Sequence, residues 1–268
     1  MNVRRLLLLA LLLILIPLKA DAIPVRIQSC SGNQPSGGTG VASCTLTLGA
    51  GHTVFVAEIS YSGTLGLSDT LVLTYTQLFP TITHSFGGPA AEILEAQCAP
   101  TGAGGSDTFS ASTGATFNGG VAVLAIEYSG VATCASDGNN SSFGTTVSNG
   151  VTVSSSTAVT THTDFLIAFS YTFAQSSTAG TGYTLTGDTS TFDNSGIGGG
   201  NNTITAEHIL SAAPGTHDGS FVIPTAGIWE AGFGALGPIG GIRHRARVIC
   251  YHKAKRFKVL LANSGARH

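Results

Sequence analysis

Short apolar segments recur every 10 to 20 residues along this chain, separated by clusters of Gly, Ser, Asn and Pro. That spacing predicts strands rather than helices. Strands are expected near 41–49, 53–60, 71–78, 91–98, 106–111, 120–128, 151–159, 164–173, 182–187, 203–211, 218–223 and 227–236. Several are apolar on both faces. In GVAVLAIEY, Val121, Val123 and Ala125 alternate with Ala122, Leu124 and Ile126, which suits a central strand covered on both sides. The run 91–97 is less regular and also fits a helical turn, because Ile93, Leu94 and Ala96 do not alternate. Many short strands without a βαβ rhythm predict an all-β fold: a two-sheet antiparallel sandwich, with a jelly roll as a variant. A division into two smaller sandwiches near Ser148 is the alternative. No charged or Pro-rich linker marks it and no clear repeat supports it, so a single domain over 23–241 is expected.

Composition sharpens this picture. Gly numbers 36 of 268 residues and charged residues make up only 10%, against about 25% in ordinary globular chains. Few Lys, Arg, Glu or Met remain to cover helix surfaces, so Ser, Thr, Asn and Gly must meet the solvent. The first 22 residues read as a signal peptide: basic MNVRR, an apolar run from Leu6 to Leu18, and the small residues Ala20 and Ala22 around the cleavage point. The apolar run is shorter than the roughly 20 residues of a membrane span. The mature chain is thus expected to be secreted, extracellular or periplasmic, with no transmembrane span.

Charge is distributed unevenly. Between Ile23 and Ile242 thirteen Asp and Glu face a single cation, Arg26, whereas Arg243 to His268 hold eight Lys and Arg and no acid. Residues 242–268 are expected to be a basic tail, disordered or the product of a shifted reading frame. No specific nucleic-acid partner follows from an acidic body. Five cysteines lie beyond the leader. In an oxidising compartment pairing is the default, and the two local pairs, Cys30–Cys44 and Cys98–Cys134, are expected, leaving Cys250 alone. Zinc binding by cysteine is disfavoured, because no C-x-x-C spacing occurs.

The segments AGHTVFVAEIS from Ala50, SDT and LTYT between Ser68 and Thr76, VAVLAIEYSGV from Val121, TDFLIAFSY from Thr163 and WEAGFGAL from Trp229 occur in a familiar order. Over about residues 40 to 236 the chain resembles exported bacterial β-sandwich modules with an EYSG-containing strand. It departs from them in carrying His52 where the opening turn usually has an acid, and in its paired cysteines. The resemblance implies a fold and a secreted setting, but no activity.

Candidate chemistry is sparse. Glu58, Glu127 and Glu230 sit inside apolar strands. Two of them facing each other about 5–9 Å apart would permit glycoside hydrolysis, with Trp229 and Tyr128 stacking on sugar rings. Against that, such acids also serve as acceptors for backbone donors. His52, His84, His162, His208 and His217 show no metal-ligand spacing. The oxygen-rich stretches DGNNSS (Asp137) and DTSTFDNSG (Asp188, Asp193) are weak candidates for Ca²⁺, and turn formation accounts for both. No nucleophile elbow or phosphate loop occurs. The expected function is therefore a non-enzymatic exported module with a binding or structural role, its partner a surface polysaccharide or envelope component. The alternative is a carbohydrate-active enzyme using two of the three glutamates.

Overall fold

A computed structural model describes residues 23–35, 40–60, 65–85, 91–113, 120–131, 133–146, 148–172, 177–193 and 201–237. The expected leader, the basic tail and Cys250 lie outside the described residues. All regular structure within them is strand. A first run comprises β1 (Val25–Gln34), β2 (Val41–Leu48), β3 (Thr53–Ser60), β4 (Gly66–Ser68), β5 (Thr76–Gln77), β6 (Ile82–Ser85), β7 (Ala91–Pro100), β8 (Gly105–Ser112) and β9 (Val121–Ser129). A second comprises β10 (Ser136–Thr146), β11 (Val151–Ser154), β12 (Ala158–Thr160), β13 (Asp164–Thr172), β14 (Thr178–Ala179), β15 (Thr184–Asp193), β16 (Asn201–Ala212), β17 (Gly215–His217), β18 (Ser220–Ile223) and β19 (Gly227–Leu236).

The two runs build one arrangement twice. The first forms a large sheet, β1-β9-β3-β7-β5 with β6 also on β7, and a small one, β2-β8-β4. The second forms β10-β19-β13-β16-β15 and β11-β18-β14. Strand for strand, β1, β9, β3 and β7 correspond to β10, β19, β13 and β16, and the small sheets correspond in the same way. Irregularities correspond too: β1 shifts register between Arg26 and Gln28, and β10 between Ser136 and Gly138. Among the described strands, β6 and the short β12-β17 pair stand apart. The chain is thus an all-β antiparallel sandwich fold, made of two sandwiches stacked through their large sheets.

Hydrophobic patterning decides which strand lies in which layer. In β2 the residues Ala42, Cys44, Leu46 and Leu48 are buried while their neighbours are exposed, as an outer sheet with one wet face requires. In β3 and β13 every residue is buried, and so are all but the last of β9. These are central strands sandwiched on both sides. Even-numbered β3 residues and odd-numbered β9 residues, such as Val54, Val56, Val121 and Val123, pack against Leu46 and Phe109 of the first small sheet. Leu166, Ala168 and Phe233 do the same with Phe221 and Ile223 of the second. The middle core lies between the two large sheets, where Phe55 and Tyr128 meet Phe165 with ring centroids 5.6 and 4.9 Å apart. Each such ring contributes roughly 1.5–3 kcal/mol by leaving water.

Both local cysteine pairs form. Cys30–Cys44 ties β1 to β2 with Cα atoms 5.7 Å apart, closing one edge of the first sandwich. Cys98–Cys134 ties β7 to the connector before β10, with Cα atoms 5.6 Å apart. Each is worth about 2–4 kcal/mol through the unfolded chain it constrains. The run 91–97 is strand throughout β7, not a helical turn. The strand expected over 71–78 shrinks to β5. There Asp107 accepts from Thr70 N and Leu71 N at 2.9 and 3.1 Å, and Asp69 accepts from Leu73 N. These bonds fold the segment into a tight loop with Val72 at φ 55°, a conformation strained for a β-branched residue. Past β5, Leu78 and Phe79 reach across to β19, where Gly234 and Gly232 leave the room their side chains fill.

Candidate functional site

The three glutamates singled out from sequence do not converge. Glu58 and Glu127 share the face of the first large sheet that looks toward its small partner. Glu127 stands opposite Val54 in the ladder, four residues from Glu58 along β3, and at about 3.3 Å per residue they are roughly 13 Å apart. That is wider than the separation either glycosidase mechanism uses. Glu230 faces the middle core, in another layer. All three are fully buried, so no sugar reaches them. Tyr128 is buried as well, its hydroxyl 3.0 Å from His208 Nδ1, and offers no face for stacking. Trp229 lies half-buried over Gly144 of the neighbouring strand.

Glu127 has a structural task. Its carboxylate accepts from Gly49 N at 2.6 Å and from Gln28 Nε2 at 2.6 Å, and pairs with His52 Nδ1 at 2.7 Å. It thereby fastens β1 and the β2–β3 turn to β9. The EYSG segment becomes legible: Glu127 clamps the turn, Tyr128 enters the middle core, and Gly130 takes φ 78° where a Cβ would crowd Ile23. Glu58 lacks such support. Burial, then the Glu95 charge, pushes its carboxyl up to about 8, with Gln97 opposing. Glu207, on β16, is likewise raised to about 8 by burial, although Gly180 N and Ser220 N donate to it.

The described parts of the oxygen-rich stretches lie on strands rather than in loops. DGNNSS belongs to β10, an edge strand of the second large sheet. Its Asp137 carboxylate is occupied by Thr161 N at 2.6 Å and His162 N at 3.0 Å. Burial would raise Asp137, but those bonds outweigh it and hold it down at about 2. Its neighbour Asp164 is raised to about 6 by burial and by Asp137. Asp188 and Asp193 lie on β15, and residues 194–196 of the second stretch fall outside the described residues.

No family model, curated protein or solved structure matches this chain.

A different cluster forms where the two large sheets face each other. His84 of β6 pairs across the ladder with Glu92 of β7. Opposite them, Tyr171 of β13 pairs with Glu230 of β19, and Glu230 in turn with Phe143 of β10. Ligand atoms of His84, Glu92 and Glu230 all lie within 4.8 Å of one another. Glu92 and Glu230 are 1% and 0% exposed, and their oxygens accept no hydrogen bond of regular geometry. Burial pushes Glu92 up to about 8, with the Tyr171 hydroxyl acting against the shift. Glu230 is pushed well up by burial and then by Glu92. Phe143 covers His84, ring centroids 4.7 Å apart, and beside them a cleft of about 390 Å³ opens between Thr81–Thr83 and Ser141–Phe143. Spacing along the chain hides this cluster, because its members come from strands far apart in sequence. The available signal was different: Glu92 and Glu230 stand in apolar segments of a body that has one cation in all.

Proposed function

We propose that this protein is an exported, non-enzymatic β-sandwich module that serves a binding or structural role outside the cytoplasm, with a surface polysaccharide as its partner class. The observation that carries the reading is the placement of the acids: Glu58, Glu127 and Glu230 are fully buried and spread over two layers, so no pair flanks a substrate. Two disulfide bonds fit an oxidising compartment, and no helix among the described residues is long and apolar enough to cross a membrane. The resemblance to exported EYSG-containing modules points the same way.

The test is a glycan array probed with the purified mature chain, each hit then being assayed for hydrolysis. Retention of a polysaccharide without turnover is the expected result. Turnover that disappears in Glu58→Gln or Glu127→Gln would overturn the reading and restore the enzyme.

A further inference from the structure

We propose that His84, Glu92 and Glu230 form a binding site for one divalent transition-metal ion of the zinc class, buried between the two large sheets. Three observations meet there. An imidazole and two carboxylates from three strands bring their ligand atoms within 4.8 Å of one another. Glu230 is 0% exposed, with one oxygen in the cluster and no donor on either. The body holds no lysine or arginine besides Arg26, and Arg26 donates to Ser29 on the far edge of the first sheet.

A carboxylate buried without a counter-ion is costly. A metal ion removes that cost for two acids together, because it supplies the charge and the bonding partner at once. The donor set favours zinc-class ions over calcium. Calcium takes six to eight oxygens, whereas one imidazole and two carboxylates suit zinc, cobalt or manganese. Bonds of roughly 2.0–2.2 Å at tetrahedral angles put ligand atoms about 3.5 Å apart, so small side-chain rotations close the present spacing. The fourth position falls beside Tyr171, the cross-strand partner of Glu230. Phe143 shields the site, and the cleft between β6 and β10 is the way in from solvent. The other cluster of this kind, Asp137, His162 and Asp164, competes poorly, because the Asp137 carboxylate is already occupied by backbone donors.

The mature chain, freed of metal with a chelator, is titrated with Zn²⁺, Co²⁺ and Ca²⁺, and bound metal is measured after desalting. One equivalent of Zn²⁺ or Co²⁺ is expected, with visible Co²⁺ bands of low-symmetry coordination, a rise in melting temperature on loading and no Ca²⁺ retained. Glu230→Gln and His84→Gln should each weaken Co²⁺ binding at least tenfold and remove its bands. Asp137→Asn should change neither. Glu230→Gln differs from Glu by one atom, and a melt of each metal-free variant verifies folding. Absence of stoichiometric metal, or binding that survives Glu230→Gln and His84→Gln in folded protein, would overturn the site and leave two protonated carboxyls in its place.

Discussion

The two large sheets share one plan and fill it differently. Their central ladders each have eight residue pairs, Thr53 with Tyr128 through Ser60 with Val121 in one, Phe165 with Leu236 through Thr172 with Trp229 in the other. Laid pair on pair, Ile59 and Ala122 of the first sheet correspond to Tyr171 and Glu230 of the second. Leu124 and Ile126 likewise correspond to Gly232 and Gly234. The first ladder offers an apolar wall at these positions. The second offers two holes, plugged by Leu78 and Phe79, and beside them an acid and a phenol. Matched positions of near-twin ladders thus carry different chemistry. Duplicated architecture keeps the backbone scaffold, and side-chain volume and charge are free to diverge on it.

Moving the acid to the central ladder that lacks it breaks the comparison most forcefully. Ala122→Glu would bury a carboxylate beside Ile59 in the apolar part of the middle core. A loss of about 3–5 kcal/mol is expected, read by denaturant unfolding, and a loss under 1 kcal/mol would mean that the two ladders are equivalent. Filling the holes comes next. Gly232→Ala and Gly234→Ala drive a Cβ into Phe79 and Leu78 and should each cost about 1–3 kcal/mol. Gly66, a strand glycine outside the left-handed region whose Cβ position meets only Ser112 Oγ at 3.7 Å, serves as control for the backbone contribution. In the reverse direction, Glu230→Leu removes one of two neighbouring buried acids and should raise the stability of metal-free protein by roughly 1 kcal/mol.

The last comparison takes the outer faces of the same sheets. Glu58 and Glu207 are both held at about 8, above the roughly 4.3 of an unfolded glutamate. The folded protein keeps a proton that the unfolded chain releases, so their contribution is complete below about pH 4 and drains away as pH rises through 8. The slope is on the order of 1 kcal/mol per pH unit for each group. Melting temperature should therefore be higher at pH 5 than at pH 8.5, and Glu58→Gln should flatten the decline. A profile that rises with pH would contradict the sign of both shifts.

Layer membership was legible because apolar periodicity reports burial directly. Runs apolar on both faces became the central strands β3, β9 and β13, and the local cysteine pairing was legible for want of nearer rivals. Polar strands were hidden. VRIQSCSGNQ and SDGNNSSFGTT read as loops, yet they are β1 and β10, the outermost strands of their sheets, where the backbone ladder supports residues that propensity disfavours. The loop over 69–75 departs from its pattern for the opposite reason: its residues favour strand, and two aspartates impose a turn by binding the backbone amides. Duplication escaped notice because strand order and register repeat while residue identity does not. The acid cluster escaped for a similar reason. Its parts meet across a gap between sheets, and no spacing along a single strand encodes that meeting.

The two disulfides also set how the molecule answers a pull applied to its two ends. A pull transmitted along the backbone enters Cys30 and leaves at Cys44, then enters Cys98 and leaves at Cys134, bypassing the chain between. The loops span 14 and 36 residues of sequence. At about 3.3–3.6 Å per extended residue, on the order of 170 Å of contour stays locked while both bonds hold. Strands β8 and β9 lie inside the longer loop, so the central ladder of the first sandwich cannot be fully stretched out by force alone. In the second sandwich no described pair of cysteines does this. Under load the β13-β19 ladder is the one that yields its full length, and it is the ladder that carries Glu230.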